Sequence, residues 1–366
     1  MTCVPAYASK TVINELISST TNKEQKELLY GNKWTISVEN KNISSIGEFG
    51  LVDIIKNQFS SSKDNKYIVA DIGDDCFCFR SGKYIICVTK DMLIEDVHFK
   101  KEWITPQELG EKAIEVNVSD IAAMGNMEPK YAFIGLGIPP TTSETFIKNL
   151  FKGLKKACNK HKMIIAGGDT VKSDKITISV TVVGIGEDRI IKRSAAKTGD
   201  LIGVTNTFGD AGAGVFLLYK YGAKYKYTKD ERSLILKQNN PKARLDESSK
   251  ISKYLTSLTD ASDGLYISVG LLTKGSNKGA DIYMDKIPTS QSLKKIFKEE
   301  SKQLKFALFG GEDYELVFTV PEQKTQLIKK LIPQVSYIGK INSSKEVRYF
   351  HNGKEQKIQR WGFKHF

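Results

Sequence analysis

Four times along this 366-residue chain an apolar run stops at a cluster of aspartates, most of them flanked by glycine. The clusters read IGDDC (residues 72–76), TKDMLIEDVHF (89–99), AGGDT (166–170) and TDASDGL (259–265). Glycine frees the backbone, so such clusters fall where strands and helices stop. The chain must therefore fold as short elements whose ends carry carboxylates. In a basic protein, aspartates gathered at loop positions suggest oxygen ligands for divalent cations that hold a polyphosphate. Magnesium sites of this kind use one or two carboxylates per ion plus substrate phosphates.

Lysine and arginine number 55 against 42 aspartates and glutamates, a net charge of +13. Nucleic-acid binding is one reading of that balance. The lysines are scattered, however: Lys152, Lys155 and Lys156; Lys224 and Lys226; Lys294, Lys295 and Lys298; Lys329 and Lys330. They show no aromatic stacking pattern, and a solvated lysine-rich surface that attracts small anions fits better. The 40% hydrophobic content suffices for real cores. No run approaches the roughly 18 apolar residues of a membrane span, and the first 40 residues hold no long apolar segment of a secretory signal. A cytoplasmic protein is expected. Cys3, Cys76, Cys78, Cys87 and Cys158 form no C-x-x-C pair and read as small buried hydrophobes of a reducing compartment.

Periodicity divides the chain into a polar appendage over 1–42, an α+β domain over 43–195 and an α/β domain over 196–366. Residues 47–59 read as a helix, and 76–80 and 84–89 as strands of a hairpin turning at Ser81-Gly82-Lys83. That register sets Asp75 almost opposite Lys90, so Asp74, Asp75 and Asp91 converge at the open end. Residues 108–124 read as a helix with Asn117 and Asp120 on one face. After it come a strand over 131–138, a helix over 143–161, a short strand over 163–166 running into Gly167-Gly168-Asp169-Thr170, and a strand over 176–185. In the second half, strands are expected at 201–205, 281–284, 306–309 and 315–320, helices at 243–256, 264–273 and 322–331, and a hairpin around Asn352-Gly353.

Each cluster has a plain alternative. Asp74 and Asp75 could form an Asx turn, and Asp260 or Asp263 could cap a helix. One cap uses one carboxylate and leaves the other unexplained. Gly167-Gly168 could cradle phosphate, while Gly209 to Gly214 reads as tight helix packing. No P-loop and no protein-kinase motif set is present. A phosphoryl-transfer enzyme built on this chain would rely on aspartate-bound magnesium.

Taken in order, GEF at 47–49, IGDD, the strand ending at Asp91 with VHF after it, VNVSDIAAMG, AGGDT, KRSAAKTGD, TDASDGL, FGGEDYELVFTVP and a closing GFKHF resemble the thiamine-monophosphate kinase family. That family belongs to the aminoimidazole ribonucleotide synthetase-like superfamily. The resemblance implies transfer of the γ-phosphoryl of ATP to thiamine monophosphate. It implies magnesium ligands at Asp75, Thr89, Lys90, Asp91, Asp120, Asp169, Asp260 and Asp263, and ATP contacts at Gly168, Asp169, Arg193 and Ser262. It implies thiamine phosphate contacts at His98, Glu312 and Phe363, with Asp91, Asp263 and Arg193 catalytic. The implied fold pairs an N-terminal mixed sheet across a homodimer into a barrel, next to a C-terminal α/β domain. Lys90 departs from the family's usual threonine: either only its backbone carbonyl serves a metal, or its ammonium stands where a ligand should be. A different superfamily enzyme using ATP, similar to aminoimidazole ribonucleotide synthetase, is the nearest alternative. A basic nucleic-acid-binding protein is the more distant one.

Overall fold

The hairpin around Gly82 anchors the first sheet. Strands β2 (Phe77–Ser81) and β3 (Tyr84–Ile94) pair antiparallel with Phe77 opposite Val88 and Ser81 opposite Tyr84, and Gly82 takes φ +60°. The structure, a computed structural model, describes residues 43–59, 66–187 and 189–358; for 43–49 it describes the backbone alone. With β1 (Ile68–Ala70), β4 (Glu128–Ile138), β5 (Ile164–Lys172) and β6 (Thr177–Gly186), the hairpin forms a six-stranded sheet in the order β1-β2-β3-β6-β4-β5. Only β4 and β5 run parallel. Helix α1 (Ile43–Phe59) precedes the sheet.

Helix α2 (Pro106–Ala123) packs on β3 and β6, and α3 (Glu144–Lys160) lies against α2. A capping box starts α2: Thr105 accepts from the Glu108 N–H, and the Glu108 carboxylate accepts from the Thr105 N–H. The two helices approach closely through glycines. A Cβ on Gly110 would lie 2.2 Å from the Leu150 carbonyl oxygen, and one on Gly153 would lie 1.9 Å from that of Gln107. Cys76, Cys78, Cys87 and Cys158 are buried free thiols, three of them around the hairpin.

The second sheet has seven strands: β7 (Leu201–Val204), β8 (Ser257–Asp260), β9 (Gly279–Tyr283), β10 (Leu316–Val320), β11 (Ser336–Asn342), β12 (Val347–His351) and β13 (Lys354–Gln356). Their order is β13-β12-β9-β11-β7-β10-β8. Helices α4 (Asp210–Tyr221), α5 (Lys229–Asn239), α6 (Leu245–Ile251), α7 (Leu265–Ser276), α8 (Gln291–Ile296), α9 (Glu300–Phe309) and α10 (Thr325–Leu331) accompany it. Leu265, Val269 and Leu272 of α7 join Leu304, Ala307 and Leu308 of α9 over Ile202 and Val317. Both sheets belong to one compact unit beginning at Glu48, and the break between them falls after Gly186 and before Leu201. Helix α2 is common to both halves. It also contacts β8 and α6, and Ala122 packs with Ile251, Leu258 and Phe318.

Two sequence expectations are corrected. Residues 306–309 are the last turn of α9, not a strand; Leu304, Ala307 and Leu308 lie three and four apart and bury one helical face. Residues 167–170 are not a turn after a buried strand. They continue β5, every residue of which is exposed, and Gly168 pairs with Ile134 so closely that a Cβ would sit 1.9 Å from the Ile134 carbonyl oxygen. The glycines at 212 and 214 do serve packing, against Gly310 and Leu234. The lysines are also not everywhere apart from aromatic rings: Tyr221 and Tyr225 stack at 4.6 Å with the Lys220 ammonium 4.7 Å over Tyr221. No helix among the described residues is long and apolar enough to cross a membrane.

Candidate active site

Alternation along β3 decides which of its polar residues meet. Thr89 and Asp91 share the face that packs on α2, while Lys90 points to the opposite face. The Asp91 N–H donates to the Asn117 Oδ1 of α2 at 3.1 Å, and the Thr89 hydroxyl donates to the Asp120 carboxylate one turn further on. From the second half, β8 brings Asp260 to the same place, where it accepts from the Ser119 hydroxyl at 2.5 Å. The loop before β2 supplies Asp75. Asp75, Asp120 and Asp260 each offer an oxygen within 4.8 Å of the others.

Arg193, in the segment between the sheets, clasps Asp75. Its Nε and Nη2 donate to the two carboxylate oxygens at 3.0 and 2.6 Å, and Nε also reaches the Thr259 hydroxyl at 3.1 Å. The Arg193 N–H points at the Asp74 carboxylate, 3.4 Å away. Burial works against the guanidinium's charge, yet the Asp75 carboxylate more than offsets it and holds the Arg193 pKa above the ordinary value. The guanidinium's charge also lowers Asp74 and Asp260, but less than burial and the neighbouring acids raise them. Burial, with Asp75 next, pushes Asp260 up to about 8, and burial with Asp91 and Asp260 pushes Asp120 well above the usual carboxylate range. Burial, then the charges of Asp263 and Glu312, lifts Asp91 to about 6. Burial and Asp75 lift Asp74 to about 6. Buried carboxylates gathered this closely resist ionisation unless a cation joins them. The donor set, all hard oxygen, fits a magnesium-type ion.

Beside these acids opens a cavity of about 340 Å³. Asp91, Ser262, Asp263 and Glu312 line it together with His98, Phe99, Trp103 and Tyr219. Trp103 and Tyr219 meet edge to face at 4.6 Å, with the Lys100 ammonium over both rings. Glu312 is held at φ +56°. Its carboxylate accepts from the Lys112 ammonium at 2.8 Å and from the Gln238 amide. Lys112, only 1% exposed, also donates to the Gln238 carbonyl. Aromatic rings and carboxylates lining one cavity suit an organic cation that carries a phosphate.

Most of the site residues expected from the sequence therefore gather here: Asp75, Thr89, Asp91, Asp120, Arg193, Asp260, Ser262, Asp263, His98 and Glu312 surround the acids or the cavity. The ammonium alternative for Lys90 is corrected, because its Nζ donates to Ser179 at 2.7 Å on the far face of the strand. Gly168 and Asp169 stand apart from this group on exposed β5, where Asp169 accepts from the Thr170 N–H. Phe363 lies outside the described residues. Lys112, Gln238, Trp103, Tyr219 and Thr259 were not picked out by sequence reasoning. A lysine in the middle of an apolar helix was the signal available for Lys112.

Comparison with known proteins gives the family. Residues 73–186 match the N-terminal domain model of AIR synthase related proteins, and residues 197–352 match the C-terminal domain model. Thiamine-monophosphate kinase from Aquifex aeolicus is 36% identical over 88% of this chain and 99% of its own length. The chain belongs to the thiamine-monophosphate kinase family. A second relative of that name, from Buchnera aphidicola of Schizaphis graminum, is 35% identical over 87% of this chain and 99% of its own. A solved structure, AaThiL complexed with AMPPCP and TMP, superposes with a TM-score of 0.79 at 35% identity, covering 90% of this chain and all of that one. Family membership fixes the two-domain architecture and makes the chain a kinase by kinship.

Proposed function

We propose that this kinase transfers the γ-phosphoryl of ATP to the phosphate of thiamine monophosphate, giving thiamine diphosphate and ADP. The observation that carries the reading is the meeting of Asp75, Asp120 and Asp260, from three separate elements, together with a cavity lined by both carboxylates and aromatic rings. The solved relative bound to AMPPCP, an ATP analogue, and TMP supports both substrates. The domain division is 43–195 for nucleotide and magnesium binding and dimerisation, with 196–366 completing the site.

Asp75, Asp120 and Asp260 would hold magnesium, with Thr89, Asp91 and Asp263 close by. Magnesium bound there supplies charge neutralisation between two phosphate-bearing reactants that otherwise repel. The chain's own contribution is positioning. Arg193 keeps Asp75 fixed, Ser119 and Thr89 orient Asp260 and Asp120, and Asn117 fixes the backbone of Asp91. Lys112 and Gln238 fix Glu312, which faces the acceptor cavity. Direct in-line transfer needs no covalent intermediate on the protein.

A homodimer fits the exposed β5 edge, where Ile164, Ile165 and Val171 are all exposed. The nucleotide contacts proposed for Gly168 and Asp169 belong to that assembled state. A cytoplasmic location follows from the same reading. Incubation with magnesium, ATP and thiamine monophosphate tests it: equimolar ADP and thiamine diphosphate are expected. ADP formed without thiamine diphosphate, or no turnover, would overturn it.

A further inference from the structure

The second half holds another cavity besides the one described above. It measures about 660 Å³ and is lined by the end of α5, the segment after it and the end of α10. Its cationic side chains are Lys237, Lys242, Arg244 and Lys329. Among the described residues, Lys237 and Lys242 form no salt bridge, and Lys329 donates only to the Val335 carbonyl. Arg244 is paired with Glu315, its Nε 2.7 Å from a carboxylate oxygen. The one acid of the wall, Asp313, is already engaged: it accepts from the N–H groups of Gly209 and Ala211 at the start of α4. Three ammonium groups thus face one lining carboxylate, with Asp210 in electrostatic reach of Lys237, around a cleft of the size that takes small organic ligands, about 300–1,000 Å³. Asn206, Asn240 and Gln334 add neutral polar groups to the same wall.

This cleft and the acceptor cavity share a partition. Lys237 and Asn240 face the cationic cleft, while Gln238 and Asn239 between them line the acceptor cavity. Likewise Asp313 lines one and its neighbour Glu312 the other. A shift of the α5 end would therefore reach Glu312 through the Gln238 amide.

We propose that the cationic cleft is a second anion site, taking a small phosphate-bearing molecule, whose occupancy is felt at the acceptor cavity through the shared end of α5. The binding half stands on the cleft alone; the coupling half rests on the kinase reading.

Calorimetric titration with inorganic pyrophosphate in the absence of metal tests the binding half, using the full chain, the K237Q/K242Q double variant, the K242Q single variant and D263N. Saturable binding is expected in the full chain and in D263N, weakened at least about tenfold in the double variant and less in K242Q, and weakened for all by salt. No binding by the full chain, equal binding by the double variant, or loss of binding in D263N alone would overturn the proposal. For the coupling half, pyrophosphate should change the KM for thiamine monophosphate in the full chain and leave it unchanged in K237Q/K242Q, whose kcat without pyrophosphate stays at the full-chain value. An identical KM shift in both proteins would overturn it. If the kinase reading itself fails, no thiamine diphosphate forms in any sample, while the titration still reports on the cleft.

Discussion

At the scale of single residues, the carboxylates of Asp120 and Asp260 pull function and stability in opposite directions. Asp260 is buried and Asp120 half-buried, the two lie near each other and near Asp75, and only Asp75 has a guanidinium against it. Asp260→Asn keeps an acceptor for the Ser119 hydroxyl but removes a repelling charge. It should raise the melting temperature of the metal-free protein above about pH 8, where Asp260 would otherwise ionise, while lowering kcat by roughly a hundredfold or more. Thermal melts and product assays on the same preparation check this; a lower melting temperature with full activity would refute the shared-ligand assignment. Lys112 illustrates the reverse. Lys112→Ala strands the Glu312 carboxylate and should cost about 3 kcal/mol, the low end for a broken buried pair because Glu312 keeps 23% side-chain exposure. Denaturant unfolding should show Glu312→Gln recovering part of that loss in the double variant. The aspartates were legible in the sequence because their type and flanking glycines announce a site. Lys112 was not, since its partner is 200 positions away and only the tertiary fold brings the two together.

At the scale of elements, helix α2 carries Asn117, Ser119 and Asp120 into the site, and its position depends on its crossing with α3. That crossing has no room for a methyl at Gly110 or Gly153. Gly153→Ala should force the helices apart, costing about 1–3 kcal/mol as overpacking does and lowering kcat through displacement of Asp120. Unchanged melting and turnover would show that the helices absorb the methyl elsewhere. The period of apolar residues made α2, α3 and the β2–β3 hairpin legible, because each buries one regular face. The strand through Gly167 and Gly168 was not legible. A glycine pair reads as a turn until the neighbouring strand is known to press against it. The stretch at 306–309 misled for a different cause: four apolar residues fit either period, and the preceding helical residues decide.

At the scale of the whole molecule, the buried acids set the pH response. Asp74 and Asp91 are raised to about 6 and Asp260 to about 8, mainly by burial. Unfolded, such groups titrate near about 4, so the folded chain binds more protons between those limits and its stability falls as pH rises through them. Glu115 works the other way: burial raises its pKa, but hydrogen bonds from His161 and Lys160 and the charge of His161 leave it lowered, so its contribution is complete above about pH 5 and does not vary in this window. The metal-free protein should therefore melt at a lower temperature at about pH 8 than at about pH 5.5, and magnesium should restore the difference at the higher pH. A flat or rising profile would remove the electrostatic account. The proposed homodimer makes a second claim at this scale: Val171→Lys, placed on the exposed β5 edge, should shift the sedimentation mass from the proposed dimer to monomer. Finally, the oxygens proposed to hold magnesium come from both sides of the connector that holds Arg193, Asp75 and Asp120 before it and Asp260 after it. Any ion affinity there would depend on both halves. A gene that recombined one half with a distant cousin's would keep two well-patterned sheets yet receive a mismatched chelate, so the two halves are expected to have co-evolved as a single heritable module.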